Sequence, residues 1–391
     1  MNLKKKLTVL LFFFGSIVAQ GAEVYKKDLH TNLNFSNDAA GFIVQVQDTV
    51  AVKTDSASVV KDSVQVIKLI GVGDIMLGTN FPNSGYLPPN DGKDMLAAVK
   101  GILQTGDITF GNLEGVLLTG EGPVKKCSDP SVCYAFKTPD HYVNYLKEAG
   151  INLLSVANNH VNDFGTVGVT NTLRVLKEAG IPHAGVKSLP YTTFEKEGLT
   201  FGFAAFAPNN GTVSLNDYAN ARKIIAHLDS ISDIVIVSFH GGAEGAAMKH
   251  ITRKTETFLG ENRGNPYEFA RMVIDAGADV VLGHGPHVTR AIDSYKNRLI
   301  VYSMGNFATY GRFNLSGPNG ISPIIEVDMT RDGEFVGGKI HATLQVGKGI
   351  PAMDESLRVV KEIQQLTSQD IPESNLVINS DGTFFQKGKG K

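Results

Sequence analysis

The stretch VVLGHGPHVT, at residues 280–289, constrains the fold more than any other part of the chain. The apolar run at 278–282 stops at a glycine, and a short run of this kind is typical of a buried parallel strand. Glycine and proline then turn the chain sharply and present His284 and His287 together. We therefore predict that both histidines lie just beyond the carboxyl end of a strand, where open α/β sheets bind ligands.

Other predicted strands end in the same way, in a polar side chain able to bind a metal. Amphipathic helices that end at a glycine separate several of these strands, which favours repeated α/β units. Because the carboxyl ends of parallel strands share one edge of a sheet, we expect these polar residues to meet there. They are Asp74, Glu114, Asn159, His160, His240, His284, His287 and Asn306.

This mixture of carboxylate, imidazole and amide groups suits zinc, manganese or iron better than magnesium or calcium. A metal held there would polarise a phosphoryl or carbonyl oxygen, or lower the pKa of a bound water. The competing interpretation, that the residues are caps and turns of ordinary loops, is less favoured because so many of them fall at equivalent positions. Asp107 is left out of the set, since it precedes its strand and faces the opposite edge.

Apolar and helical periodicities predict the main elements of the chain. A long polar loop that ends at Asn265 is a candidate lid or substrate loop. A hairpin across residues 331–333 precedes a last helix and a basic, glycine-rich tail. The predicted strands are 64–72, 108–111, 151–157, 199–207, 234–239, 278–282, 299–303, 324–329 and 335–346, and the predicted helices are 94–103, 140–149, 167–179, 218–228, 266–276 and 353–366.

The first residues predict a secretory signal peptide over 1–22, because lysines at 4–6 precede an apolar segment at 7–19 and then small residues. Residues 23–63 are polar and predict a spacer, residues 64–350 the main domain, and residues 351–391 a C-terminal helix and tail. We therefore expect an exported protein, in the periplasm or at the cell surface. An uncleaved signal segment is the alternative, and it is the only predicted means of membrane association.

Export also bears on Cys127 and Cys133, which lie close together in a polar loop. In an oxidising compartment we expect them to form a disulfide, with two free thiols as the alternative. The formal net charge of −2 gives no sign of a nucleic-acid-binding surface. No Gly-x-Ser-x-Gly elbow is present in the sequence, so covalent catalysis has little support.

The polar strand ends occur in motifs, and the motifs, in this order, resemble the CapA family of poly-γ-glutamate capsule synthesis proteins, within the calcineurin-like metallophosphoesterase superfamily. The resemblance runs from about residue 66 to about residue 346. The motifs are GVGDIMLG from Gly71, FGNLEGVL from Phe110, LLSVANNHVNDFG from Leu153, SFHGGAE from Ser238, AGADVVLGHGPH from Ala276 and YSMGNF from Tyr302.

The resemblance implies an α/β fold of four layers, with two central mixed β-sheets flanked by helices, and one or two divalent transition metals. It also implies roles for individual residues. The first metal would be bound by Asp74 and His287, the second by Asn159, His240 and His284, with Glu114 bridging; His160 would be catalytic, and Asn112, Glu244 and Asn306 would bind substrate.

Departures from the superfamily pattern bear on the first metal. Met76 stands where a second ligand usually follows the first aspartate, and Gly285 stands where relatives often have a histidine. A one-metal enzyme, or a binding protein with a vestigial site, is therefore kept as an alternative.

The resemblance implies an exported protein that handles poly-γ-glutamate or a related anionic envelope polymer, or works with the machinery that makes it. The first hypothesis is a metal-dependent hydrolase or transferase that acts on an amide or phosphoester link. The second is a non-catalytic factor that binds the polymer during capsule assembly. The third, a general periplasmic phosphoesterase, rests on fold analogy alone.

Overall fold

The computed structural model describes residues 66–126 and 133–388. The predicted signal peptide, the predicted spacer and Cys127 lie outside the described residues. Among those described, no helix is both long enough and apolar enough to cross a membrane.

Strands alternate with helices along most of the chain, as the periodicity predicts. The strands are β1 (Ile67–Met76), β2 (Ile108–Leu113), β3 (Val116–Leu117), β4 (Lys137–Thr138), β5 (Leu153–Ser155), β6 (His183–Ala184), β7 (Tyr191–Lys196), β8 (Leu199–Phe206), β9 (Ile234–His240), β10 (Thr257–Phe258), β11 (Glu261–Asn262), β12 (Val280–His284), β13 (Ile292–Tyr295), β14 (Arg298–Val301), β15 (Asn306–Thr309), β16 (Ile321–Met329), β17 (Phe335–Val346), β18 (Ile350–Met353), β19 (Leu376–Ile378) and β20 (Thr383–Gln386). The α-helices are α1 (Lys100–Leu103), α2 (Val143–Glu148), α3 (Gly165–Ala179), α4 (Tyr218–Ile231), α5 (Pro266–Asp275) and α6 (Arg358–Asp370). Short 3₁₀ helices lie at Pro89–Gly92, Asp140–Tyr142, Ala246–Met248 and Gly317–Gly320.

Two mixed sheets contain most of these strands. The larger has the order β19-β20-β17-β16-β1-β2-β5-β6, with β15 also paired to β1 and β18 to β17. The smaller has the order β13-β14-β12-β9-β8-β7. In the larger sheet the neighbouring strands β1, β2, β5 and β6 are parallel, whereas β16 is antiparallel to β1. In the smaller sheet β8, β9, β12 and β14 are parallel.

The sheets pack face to face because their strands are apolar on both sides. Leu69 and Phe110 of the larger sheet share one buried core with Phe203 and Ile236 of the smaller. The rings of Phe110 and Phe203 lie 5.7 Å apart between centroids. Successive residues of a strand face opposite sides, so Ile70, next to Leu69, belongs to a different core.

Helices cover the two outer faces. Outside the larger sheet, Ile70 lies in one core with Leu146 of α2 and Leu176 of α3. Outside the smaller sheet, Val237 of β9 lies in one core with Ile225 of α4 and Phe269 of α5. The layers are therefore helix, sheet, sheet, helix, which confirms the predicted four-layer fold.

The structure also differs from the predicted elements. Most of the predicted helix at 94–103 is a series of turns, and only α1 at its end is α-helical. The polar loop before α5 contains the small hairpin of β10 and β11. In the C-terminal segment, β19 and β20 extend the larger sheet beyond the predicted helix, where no strand was predicted.

Candidate metal centre

The carboxyl ends of parallel strands from both sheets meet at one edge of the sandwich. In the larger sheet, β1 places Asp74 opposite Asn112 on one side and Asn306 on the other. In the smaller sheet, β9 and β12 end side by side at His240 and His284. The structure thus brings these predicted residues to a common edge.

Strand boundaries at this edge are not where the sequence predicts them. β1 continues through Asp74 to Met76, and Asn306 begins a strand instead of following one. The backbone of Gly305 crosses β1 so closely that a Cβ atom at Gly73 would lie 2.0 Å from the Gly305 carbonyl oxygen. The amide of Asp74 donates to that same oxygen at 2.9 Å, so the approach that only glycine permits positions β15 against β1.

Asp74 is fully buried and accepts from three side chains. Nδ1 of His284 lies 3.2 Å from its Oδ1, and Nδ1 of His287 lies 2.9 Å from its Oδ2. The amide of Asn112 donates to Oδ1 at 2.9 Å. Burial by itself raises the pKa of Asp74, but the hydrogen bonds from the two histidines outweigh it and hold that pKa below its usual range.

Glu114, His240 and His287 form the cluster best arranged to bind a metal, because one ligand atom from each lies within 4.8 Å of the others. Nε2 of His240 lies 3.4 Å from Oε2 of Glu114. Burial raises the pKa of Glu114, yet the charge of His240 lowers it overall. Burial lowers the pKa of His287, but the hydrogen bond to Asp74 and the nearby Glu244 carboxylate raise it to about 10.

Several buried polar atoms at this cluster have no hydrogen-bond partner within the described residues. They are Oε1 of Glu114, both ring nitrogens of His240, Nε2 of His284 and Oδ1 of Asn159. A buried donor or acceptor left unpaired costs about 1–3 kcal/mol, so a group of them marks a ligand site. Carboxylate, imidazole and amide atoms together fit a divalent transition metal.

His160 lies beside the cluster and is held by two neighbours, Asp163 and Phe136. Its Nδ1 lies 2.7 Å from Oδ2 of Asp163, and since a carboxylate only accepts, Nδ1 carries the hydrogen. Lys125 places its ammonium 2.6 Å from the other oxygen of Asp163. The ring of Phe136 lies against His160, with 4.2 Å between centroids. His160 therefore has a defined orientation, with Nε2 as the ring nitrogen not engaged by Asp163.

A cleft of about 800 Å³ opens over this edge. Asn159, His160 and His287 line it, together with Glu244. Glu244 lies between charges of the cleft wall, with Oε1 2.9 Å from a nitrogen of Arg263 and Oε2 3.9 Å from Nε2 of His287. The cleft therefore gives a substrate access to His160 and to two of the predicted ligands, Asn159 and His287.

Asn158 and Asp163 also support the site, although sequence analysis did not single them out. The amide of Asn158 donates to Oδ1 of Asn112 at 3.1 Å and to the Leu113 carbonyl at 2.7 Å. Its oxygen accepts from the backbone amide of His160 at 3.0 Å. Both residues lie in the LLSVANNHVNDFG motif. Asp163 follows His160 by three residues, and this spacing could have indicated that the carboxylate contacts the imidazole.

The assignment of the ligands to a first and a second metal stays a prediction. His240 lies with Glu114 and His287, whereas His284 is bonded to Asp74. Asn306 accepts from Nδ1 of His287 at 3.1 Å. The disulfide between Cys127 and Cys133 stays a prediction, because Cys127 lies outside the described residues.

Comparison with known proteins gives consistent matches. The sequence model for "Bacterial capsule synthesis protein PGA_cap" matches residues 68–310. The chain is 27% identical over 323 residues to the capsule biosynthesis protein CapA of Bacillus anthracis, covering 76% of this chain and 73% of that protein. It is 27% identical over 273 residues to the PGA biosynthesis protein CapA of Bacillus subtilis, covering 65% of this chain and 66% of that protein.

Among solved structures, the chain is similar to a putative 5'-nucleotidase from Staphylococcus aureus, with 13% identity and a TM-score of 0.41, over 78% of this chain and 58% of that one. It is also similar to the purple acid phosphatase PPD1 of yellow lupin, with 12% identity and a TM-score of 0.38, over 74% of this chain and 54% of that one. Scores this low say nothing about activity.

Proposed function

Because the chain belongs to the bacterial capsule synthesis protein family PGA_cap, we propose that it is an exported, metal-dependent hydrolase or transferase in the biosynthesis of poly-γ-glutamate or a related anionic envelope polymer. It acts on an amide or phosphoester link of that polymer or of its precursor. The capsule role rests on the family, and the chemistry rests on the site.

One observation carries the chemistry: beneath an open cleft lie buried metal-ligand atoms that have no hydrogen-bond partner among the residues that the structure describes. Glu114, His240 and His287 form the cluster, and His284 and Asn159 add further unpaired atoms. Such an arrangement in the fold's interior is costly unless a ligand completes it. This supports a resident divalent metal, with zinc, manganese and iron fitting the donor set.

The chain's own residues have distinct tasks in this proposal. When bound, the metal supplies Lewis-acid polarisation of the scissile group and a water of lowered pKa. Asn112 donates to both Asp74 and Glu114, at 2.9 and 2.5 Å, and so keeps the two carboxylates in place. Asp74 accepts from Nδ1 of His284 and His287 and orients both rings, as carboxylates commonly do for metal-binding histidines.

His160 is the proposed proton-transfer residue. Asp163 accepts the hydrogen on Nδ1, so Nε2 is the ring nitrogen that takes up a proton from solvent and then gives it to the leaving group, which returns the ring to its neutral form. Asp163 also accepts from the backbone amide of Phe136 at 2.7 Å, so the carboxylate itself is fixed. In this role Asp163 is a positioning residue, since it acts through His160.

A single metal is favoured over two. Met76, at the position of the usual second ligand, is buried, and its sulfur accepts from the amide of Gly78 at 3.3 Å. Both oxygens of Asp74 already accept from histidines. The same two facts favour the alternative function, a polymer-binding assembly factor with a vestigial site, over the general phosphoesterase.

The test compares the wild-type protein with His160→Ala. Protein purified without chelators should contain zinc, manganese or iron by elemental analysis, and the variant should contain the same amount. Turnover, or capsule production at normal protein abundance, should fall about 10²–10⁴-fold in the variant, which is the usual contribution of a general acid. His227→Ala on the exposed face of α4 is the control and should leave both unchanged.

Three outcomes would decide against parts of the proposal. No metal in the purified protein and no uptake on addition would remove the metal. Normal capsule production with His160→Ala would leave the polymer-binding factor as the better function. Efficient turnover of simple phosphodiesters, without any effect on polymer, would favour the general phosphoesterase.

A further inference from the structure

Arg312 lies in the segment between β15 and β16 and lines the cleft. Its guanidinium carbon lies 4.6 Å from the ring centroid of Tyr86 and 5.0 Å from that of Tyr134. A guanidinium over an aromatic ring is attracted by the ring's negative face. Two tyrosines from separate parts of the chain therefore hold the Arg312 side chain in one place.

Among the described residues Arg312 has no counter-ion, unlike Arg263 and Lys125 in the same cleft. Arg263 lies 2.9 Å from an oxygen of Glu244 and 3.6 Å from one of Glu261. Lys125 is paired with Asp163. Arg312 forms no hydrogen bond or ion pair with any residue in 66–126 or 133–388. Its N–H groups, which have a fork geometry suited to two-oxygen anions, are thus left for a ligand.

Phe313, the next residue, separates Arg312 from the metal centre. Its ring stacks on Phe136 at 5.1 Å and meets the ring of His287 edge to face at 5.4 Å. A group bound by Arg312 would therefore lie on the other side of the Phe313 and Phe136 rings from the group that reacts at the metal centre. An extended substrate that carries one anionic group at the metal centre and another at Arg312 fits such a cleft. A small monoanion would occupy the metal centre alone and would not need Arg312.

We propose that Arg312 forms an anion-binding subsite that takes a carboxylate or phosphate group of the substrate other than the group at the metal centre. The subsite rests on the proposed function for the idea that the substrate is an extended anionic polymer. Arg312 contributes the binding group, and Tyr86 and Tyr134 position it.

The experiment measures binding, so it does not depend on turnover. Isothermal titration calorimetry of the intact protein uses two probes, a linear γ-linked glutamate trimer and tripolyphosphate. Arg312→Gln should bind at least one of them roughly tenfold more weakly, the usual effect of losing one charge-assisted hydrogen-bonding group. Arg222→Gln removes the same charge from the exposed face of α4 and should bind as the wild type does.

A second variant separates the guanidinium fork from simple charge. Arg312→Lys keeps the charge but replaces the planar, ring-held fork with a flexible ammonium, and it should also bind more weakly than wild type. This variant preserves the cation in the fold, and thermal unfolding of both Arg312 variants checks that they remain folded.

Each outcome has a meaning. Weaker binding of the glutamate trimer alone assigns the subsite to carboxylates, and weaker binding of tripolyphosphate alone assigns it to phosphates. Wild-type affinity of Arg312→Gln for both probes, an equal loss in Arg222→Gln, or no binding of either probe by the wild type overturns the subsite. Normal probe binding that depends on Arg312, together with absent turnover, would reject the proposed enzymatic function and leave the subsite standing.

Discussion

Two buried glutamates at the same edge of the sandwich, Glu114 and Glu256, have opposite surroundings. Both oxygens of Glu256 are bonded: Arg290 donates to them at 2.9 and 2.8 Å, and the amide of Ala243 donates to one at 2.7 Å. Glu114 has one oxygen without a partner in residues 66–126 and 133–388, and a histidine nitrogen lies 3.4 Å from the other oxygen. The comparison teaches that burial of a charge does not by itself mark a functional site, whereas burial without complete pairing does.

The pairing of Glu256 also shows how the long polar loop that precedes α5 is attached to the rest of the fold. Glu256 lies within that loop, and its backbone pairs with Gly264 and Arg263 at 2.8 and 2.9 Å. Because Arg290 is fully buried and holds the Glu256 carboxylate, this part of the loop is anchored to the core. The anchor favours a fixed substrate loop over a moving lid.

The largest effect on stability is expected from breaking the complete pair. Arg290→Ala leaves the Glu256 carboxylate buried without its partner, and it should lower the free energy of unfolding by about 3–5 kcal/mol. Urea denaturation measures the change. Arg222→Ala, at an exposed position, is the control. A loss no larger than that of the control would show that the Arg290 pair is not a structural anchor.

A smaller effect on stability is expected when a metal binds to the cluster of Glu114, His240 and His287. Adding zinc or manganese at a hundred times its dissociation constant should raise the free energy of unfolding by about 2.7 kcal/mol, because the metal binds only the folded protein. Glu114→Gln removes a ligand and should abolish most of this gain, as seen in urea denaturation with and without metal. Equal stabilisation of both proteins would place the metal elsewhere.

The smallest effect is expected from Glu114→Gln in the metal-free protein. The substitution removes a charge that is only partly paired, and the hydrogen bond from Asn112 to a side-chain oxygen is retained. The free energy of unfolding should therefore change by no more than about 1 kcal/mol. A loss comparable with that of Arg290→Ala would mean that Glu114 belongs to a structural ion pair, and the contrast between the two glutamates would fail.

Much of the fold was predictable because its strands are apolar on both faces and its helices end at recognisable residues. The helix predicted at 167–179 forms as α3 and ends at Gly180, which has a φ of 72°. β20 shows the limit of such reasoning. Its pairing with β17 needs the absence of a side chain at Gly338, where a Cβ atom would lie 2.5 Å from the ring of Phe384. No local pattern in the last residues reports that fit.

The residues that gather at the candidate site were predictable from the sequence, but the contacts between them were not. Polar residues that follow apolar runs identify an edge of a sheet, and the motifs identify the family. The backbone of His287 adopts a left-handed conformation, with a φ of 57°, and the ring reaches Asp74 and Asn306 on strands of the other sheet. The conformation of one loop residue depends on everything packed around it.

The sequence by itself therefore determined the alternation of buried strands and helices and the residue types at the strand ends, because both follow from local periodicity and turn chemistry. Only the tertiary structure decided that ligand atoms of Glu114, His240 and His287 lie within 4.8 Å of one another, and that Arg312 lies against two tyrosines with no counter-ion in the described part of the chain. These facts depend on distances between segments far apart in the chain. Such distances arise from the packing of the two sheets, which no single stretch of sequence encodes.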